Sequence, residues 1–500
     1  MHLFRGSHRK LLTRQSAAAV LSIFCCHSAI AAVVHEYTVT IDPTLEKLFV
    51  EARFGEAVHR ISARSNDASE VLISTSNCDT DEKITAHNRR LDLPAEGIRC
   101  LSYTVDLRQA AGREKLNQSL SPTNVVVSPA VWLWRPEFDE PSNIRVHFRL
   151  PEDMSISVPW QQVGIDSYRI LPSPESADAP VVFGQFDYHE LAVPGAVLRV
   201  SLLKSEPAMN VPMILNWIEA AATDVTLAYG KFPNPSPQIV VVPVGNSRNN
   251  RRREGAPRSP RAVPFGKVIR DGGESVQLFV NQTMPMRDFL GDWTATHEFS
   301  HLMLPYISRK HKWISEGFAQ YYQNVLLTRA GEYEPVYAWQ KLYDGLERGR
   351  LSRPDISPNG AAAGGQRGGL MKVYWSGAAL ALMADVALRE RSHGEQTLDS
   401  VLAKFQACCL PAAEVWTGPE FLTQLDSLLD EAVFMPLYRR YADTVGFPDT
   451  GPLLGRLGVE ISADKVVLRD DAELSAIRSA ITKLDPQTAR WRKGLADHRM

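Results

Sequence analysis

The 500-residue sequence has no excess of either charge: 55 lysines and arginines stand against 57 aspartates and glutamates, a formal net charge of -2. So small an imbalance leaves no global basic footprint, and no nucleic-acid partner is expected. Cysteine is scarce, with six in the chain, and none has zinc-finger spacing. Past the amino-terminal leader no run of eighteen apolar residues occurs, so no stable membrane anchor is expected. No repeat of about 20 to 50 residues is apparent, which argues against a solenoid or propeller. What the chain does have is length and a 44% hydrophobic content, enough to bury two or three cores.

The amino terminus sets the compartment. Arg5, Arg9, Lys10 and Arg14 precede an apolar run over 17–26, and Ala29-Ile30-Ala31 fits a small-residue cleavage site. This reads as a secretory signal peptide over 1–31, giving a secreted or periplasmic mature chain that begins near Ala32. Cys25 and Cys26 leave with it. In an oxidising compartment Cys78 and Cys100 are expected to pair across two strand-rich segments, a disulfide worth about 3 kcal/mol on the loop-entropy estimate. Cys408 and Cys409 are adjacent and read as buried thiols.

The hydrophobic pattern divides the rest into a multidomain α+β chain. Over 32–205 the period is two, clearest at 37–41, 48–54, 100–107, 144–150 and 197–202, which predicts a β-sandwich-like N-terminal domain. Over 206–331 an amphipathic helix (213–229) precedes two strands (239–244 and 275–281). Between those strands Arg248, Arg251, Arg252, Arg253, Arg258 and Arg261 crowd a polar loop at 248–261, which reads as solvated surface. Over 332–446 the pattern is helical, at 337–347, 372–391, 397–406, 420–430 and 433–444, with a Gly/Ala-rich loop at 358–369. Residues 447–500 read as a small appended segment.

The chemistry concentrates in 297–321. In His297-Glu298-Phe299-Ser300-His301 the two histidines lie four apart, so on a helix both imidazoles point one way and can share a metal ion. Glu298 beside them can take a proton from a water at that ion. A zinc centre needs a further protein ligand, and Glu316 is the candidate. Pro305 should end the first helix and Trp313 begin a second, closed by Gly331. Two helices joined by so short a turn pack nearly antiparallel, which brings Glu316 back toward the histidines.

With its Trp313-x-x-Glu316-Gly317-Phe318-Ala319 segment, this stretch resembles the gluzincin metallopeptidases, in which the third zinc ligand lies in such a segment. Strand, strand and metal helices then suit a thermolysin-like catalytic domain. Within that clan the chain looks most like the glycyl aminopeptidase family, then the aminopeptidase N family. The resemblance extends to Glu36-Tyr-Thr-Val-Thr-Ile-Asp-Pro43, to Tyr374-Trp-Ser-Gly377-Ala378, and to Leu388-Arg-Glu-Arg391 with Thr397-Leu-Asp-Ser-Val401. It implies one zinc ion per chain held by His297, His301 and Glu316, with Glu298 as general base. It also implies a peptide substrate, and that Tyr374 donates a hydrogen bond to the developing oxyanion.

Which end of a peptide is read stays open. Neither a Gly-x-Met-Glu-Asn nor a Gly-Gly-x-Glu-His segment precedes the metal helix; the nearest match is Gly272-Gly273-Glu274-Ser275. An aminopeptidase must pair a buried ammonium group. The only carboxylates in the bordering segment, 265–281, are Asp271 and Glu274. Glu274 after two glycines suits presentation on a tight turn, so it is the candidate substrate-binding residue and aminopeptidase action the expectation. An endopeptidase, or a non-catalytic peptide-binding protein on the same fold, are the alternatives.

Overall fold

The computed structural model describes residues 33–113, 123–137, 143–172, 174, 179–245, 261–364 and 369–497. The expected signal peptide at 1–31 and all of the arginine loop up to residue 260 lie outside the described residues.

Alternation builds the N-terminal domain. Val34–Ile41 and Lys47–Val58 bury every second residue along most of their length. They lie inside a seven-stranded sheet whose spatial order is Gln161–Gly164, Ser167–Ile170, Asn143–Arg149, Val34–Ile41, Lys47–Val58, Ile98–Asp106 and Leu72–Ser76. A smaller sheet (Ser155–Ser157, Val181–Gly184, Asn124–Val127) shares its core. Phe148 from the large sheet stacks on Trp160 at 6.2 Å and meets Phe183 of the small one edge-on at 6.0 Å. Cys78 and Cys100 are bonded, with Cα atoms 5.3 Å apart. The bond joins the end of Leu72–Ser76 to its sheet neighbour Ile98–Asp106.

The sheet that positions the candidate site has the order Asp187–Val193, Ala196–Leu202, Gln238–Pro243, Glu274–Val280 and Phe265–Arg270. Its middle three strands are parallel and its two outer pairings antiparallel. Every residue of Gln238–Pro243 is buried, as a parallel strand covered on both faces must be. One face packs on helices. The other meets the β domain, where Val240, Val242 and Phe279 touch Val126 and Val182. The first two strands fall inside 32–205, the range assigned to the β domain from alternation. They join strands of 206–331 in one sheet because period two identifies a strand while its partner is chosen by long-range pairing.

Local signals account for the helices. Val211–Thr226 starts at Asn210, whose side chain accepts from the Met213 amide at 3.1 Å. Thr397 and Thr417 form capping boxes at the starts of Leu398–Cys409 and Gly418–Asp426. Part of the loop expected at 358–369 is helical instead: Ser357 caps Pro358–Ala363, and 365–368 lie outside the described residues. Leu370–Arg391 is long and apolar enough to cross a membrane by composition, yet 72% of its apolar window is buried in the protein, as in a core helix. Cys408 and Cys409 are bonded to each other. The expectation of buried thiols is therefore corrected: at the helix end Cys408 is exposed and Cys409 half-buried against the core, and Leu410 leaves helical geometry.

Residues 447–500 are integrated rather than appended. The hairpin Val459–Ser462 and Lys465–Leu468 packs on Pro335–Leu351, where Gln340 accepts from the Val466 amide at 2.6 Å. From Pro486–Asp497 the buried Arg492 reaches both carboxylate oxygens of Asp224, at 2.9 and 2.8 Å, and the Leu290 carbonyl at 2.8 Å. Thr296, one residue before His297, also donates to Asp224, at 3.3 Å. The polar composition of this helix conceals a buried guanidinium that no period reveals.

Candidate metal centre

The metal helix, Thr294–Ser300, begins at Asp292, whose carboxylate accepts from the Thr294 amide at 2.9 Å. Arg261 braces this start, donating to Asp292 at 3.1 Å and to Thr294 Oγ1 at 2.8 Å. The helix tightens into a 3-10 turn at His301–Met303, before Pro305 is reached. His301 keeps right-handed helical angles, so it stays on the face of His297, and the two rings lie 4.9 Å apart. Arg270 of the edge strand takes the carbonyls freed at this end, His301 at 3.2 Å and Leu304 at 3.0 Å.

The second helix, Lys312–Arg329, ends before Gly331, whose φ of +78° is the left-handed conformation glycine permits. It returns Glu316 to the histidines: Oε2 lies 3.5 Å from Nε2 of both His297 and His301. Three ligands about 2.0 to 2.1 Å from a tetrahedral zinc ion stand about 3.4 Å apart. Two imidazoles and a carboxylate in this spacing fit such an ion. Among the described residues this is the group of metal-ligating side chains that converges on one point.

The distal ring nitrogens are held as well. His297 Nδ1 lies 2.9 Å from Gln323 Oε1, and His301 Nδ1 lies 3.1 Å from Ser315 Oγ. An amide oxygen can only accept, so Nδ1 of His297 is the donor in this contact, and in the neutral ring Nε2 would be the atom to hold an ion. Sequence reasoning missed both partners. Gln323 lies seven residues after Glu316, two helical turns, so the spacing that found the ligands could have found it.

Charges in this cluster settle one another. Burial works against an ionised Glu316, but hydrogen bonds from His297 and His301 outweigh it and hold the carboxyl well below its usual range. Burial also disfavours a charged His297, and Glu316 with Glu298 overcomes that, raising its pKa. Glu298 is raised, chiefly by burial and in part by Glu316, with both histidines opposing. It lies against the edge strand Phe265–Arg270, where a Cβ on Gly266 would come within 2.6 Å of Glu298 Cγ. Glycine there leaves room for the Glu298 side chain.

Tyr374 approaches from the third helix, Leu370–Arg391, its ring 6.0 Å from that of His297. Its position follows from two glycines. A Cβ on Gly317 would stand 2.1 Å from Gly377 Cα, and one on Gly377 would stand 1.9 Å from the Trp313 carbonyl oxygen. The second and third helices therefore touch backbone to backbone, with Glu316 and Tyr374 just N-terminal to the contact. Burial and the nearby Glu316 and Glu298 push the Tyr374 pKa far up, so the phenol stays protonated and able to donate.

Glu274 is placed differently from the expectation. The turn is Asp271 to Gly273, closed by a 3.0 Å bond from the Asp271 amide to the Gly273 carbonyl, and Glu274 starts the next strand. It is buried, accepting from Arg270 Nε at 2.9 Å and from Asn234 Nδ2 at 2.8 Å. Asp271 is fully buried and paired with Arg64. Each border carboxylate thus already faces a guanidinium.

No protein-family model and no curated protein matches the sequence. Solved structures do. An aminopeptidase N family protein from Idiomarina loihiensis is similar at 14% identity with a TM-score of 0.61, over 86% of this chain and 79% of that one. A variant of an M1 zinc metallopeptidase from Deinococcus radiodurans is similar at 11% identity with a TM-score of 0.50, over 83% and 95%. A two-domain M1 zinc metallopeptidase variant bound to L-arginine is similar at 12% identity with a TM-score of 0.50, again over 83% and 95%. At these identities the likeness is one of architecture. The chain thus shares the fold of these structures, and within that fold His297, His301 and Glu316 converge.

Proposed function

We propose that the chain is an exported zinc-dependent peptidase. The observation that carries this reading is the convergence of His297, His301 and Glu316, with Glu298 on the same helix and Tyr374 across from it. Zinc bound there would polarise a peptide carbonyl and ease deprotonation of a water. Glu298, kept from solvent between the metal helix and Gly266, takes the water proton and passes it to the leaving amine. Tyr374 donates to the carbonyl oxygen as negative charge develops on it. Export rests on the basic-then-apolar amino terminus and agrees with the Cys78–Cys100 disulfide.

Action at the amino end is the first reading, with Glu274 as the group for the ammonium. For that, Glu274 must exchange part of its Arg270 contact for the substrate. A second reading, endopeptidase action, is favoured by the pairing of both border carboxylates with Arg270 and Arg64. Turnover of one peptide with a free and with an acetylated amino end tests both. Cleavage of the free form alone supports the first reading, and equal cleavage the second. Cleavage of neither by zinc-loaded protein overturns the peptidase reading and leaves a peptide-binding protein.

A further inference from the structure

A cavity of about 360 Å3 lies where the β domain, the catalytic sheet and the helical domain meet. None of His297, Glu298, His301, Glu316 or Tyr374 lines it. Much of its wall is apolar: Trp160 and Leu171 come from the β domain, Pro235 from the catalytic domain and Pro411 from the helical one. Three charged residues line it, Arg199, Arg270 and Glu274. Glu274 and Arg270 offset each other.

Arg199 has no such match. It is 5% exposed, and its terminal nitrogens donate only to main-chain carbonyls, those of Val158 at 3.1 Å, Pro159 at 3.4 Å and Ser236 at 3.2 Å. Its Nε has no hydrogen-bond partner, and although Glu190 acts on it from across the strand pair, no carboxylate comes within ion-pair distance of it among the described residues. A buried guanidinium that no carboxylate contacts directly is costly. The wall as a whole therefore carries one surplus positive charge beside apolar surface. Arg270 commits Nε to Glu274 and Nη2 to carbonyls of the metal helix, which leaves Nη1 to meet a ligand. Space of this size suits one amino-acid residue rather than a long chain.

We propose that this cavity binds the carboxylate of a small apolar acid, a single amino acid or the last residue of a short peptide. The carboxylate faces Arg199 and Arg270, and the apolar group rests on Trp160 and Leu171. None of the metal-ligating side chains lines the site, which shares Glu274 with the amino-end reading above but does not depend on zinc.

Calorimetric titration of the full-length Glu298→Gln chain, which should cleave nothing, tests it. The probes are N-acetyl-phenylalanine, its carboxamide, and N-acetyl-Ala-Ala-Phe. The acid should bind at least tenfold more tightly than the amide. If the tripeptide binds as well, the site takes peptide ends; if it does not, the site takes free acids. Adding Arg199→Met should abolish binding, and so should Ala412→Trp, which fills the cavity from a surface loop and stands alone should the arginine variant not fold. Adding His301→Ala, which removes a metal ligand, should leave binding intact. Equal binding of acid and amide, no binding of either, or binding lost in His301→Ala but kept in Ala412→Trp would overturn the proposal.

Discussion

The two helices that carry the metal ligands and the strand pair that borders them differ in how their geometry is specified. In the helices, spacing is structure: four residues from His297 to His301 and seven from Glu316 to Gln323 each place two side chains on one face. In the border, Arg270 and Glu274 are also four apart, yet they meet because a turn folds one strand onto the next. Equal spacing on a strand would say nothing about that contact. The helix pair can thus be read locally, while the border acquires its meaning only from its partners.

The sharpest way to break this contrast is Glu274→Ala. If the border is held by its buried ion pair, removing one partner should cost about 3 to 5 kcal/mol of stability, measured by denaturant unfolding, and leave zinc content unchanged. A variant with normal stability that has lost only its cleavage of free amino ends would make Glu274 a substrate residue, as the sequence alone suggested.

Tyr374→Phe comes next. As an oxyanion donor it should lose about 10² to 10³ in kcat with little change in KM. A fall in melting temperature with kcat retained would return Tyr374 to the core. Gly377→Ala should cost about 1 to 3 kcal/mol, because the new methyl meets the Trp313 carbonyl rather than a movable side chain. Full stability there would show that the second and third helices do not touch through backbone. The smallest effect is expected at Gln323. Its change to Ala should weaken zinc affinity about 10- to 100-fold, and Gln323→Glu should restore it, since either oxygen can accept from His297 Nδ1.

The same contrast explains what the sequence disclosed. His297, His301, Glu316 and Glu298 were legible because helix periodicity and a short connection constrain them, whereas Gly317 and Gly377 stood only as members of motifs and their close helix contact came from the structure. The strand at 197–202 was visible as a strand, but its pairing with Asp187–Val193 and Gln238–Pro243 was not, since alternation carries no record of the partner strand. Arg492 was hidden for a related reason: its pairing with Asp224 spans 268 residues. Cys408 and Cys409 were misread because a bond between neighbours depends on local backbone geometry at a helix end, which composition does not reveal.

The central claim is that one carboxylate acts as a base beside a metal it does not ligate. Zinc content and peptide turnover of Glu298→Gln, measured on the same preparation, test it most directly. The account predicts one zinc per chain, as in the parent, and hydrolysis lost. Zinc lost together with activity, or hydrolysis at the parent rate, would contradict it.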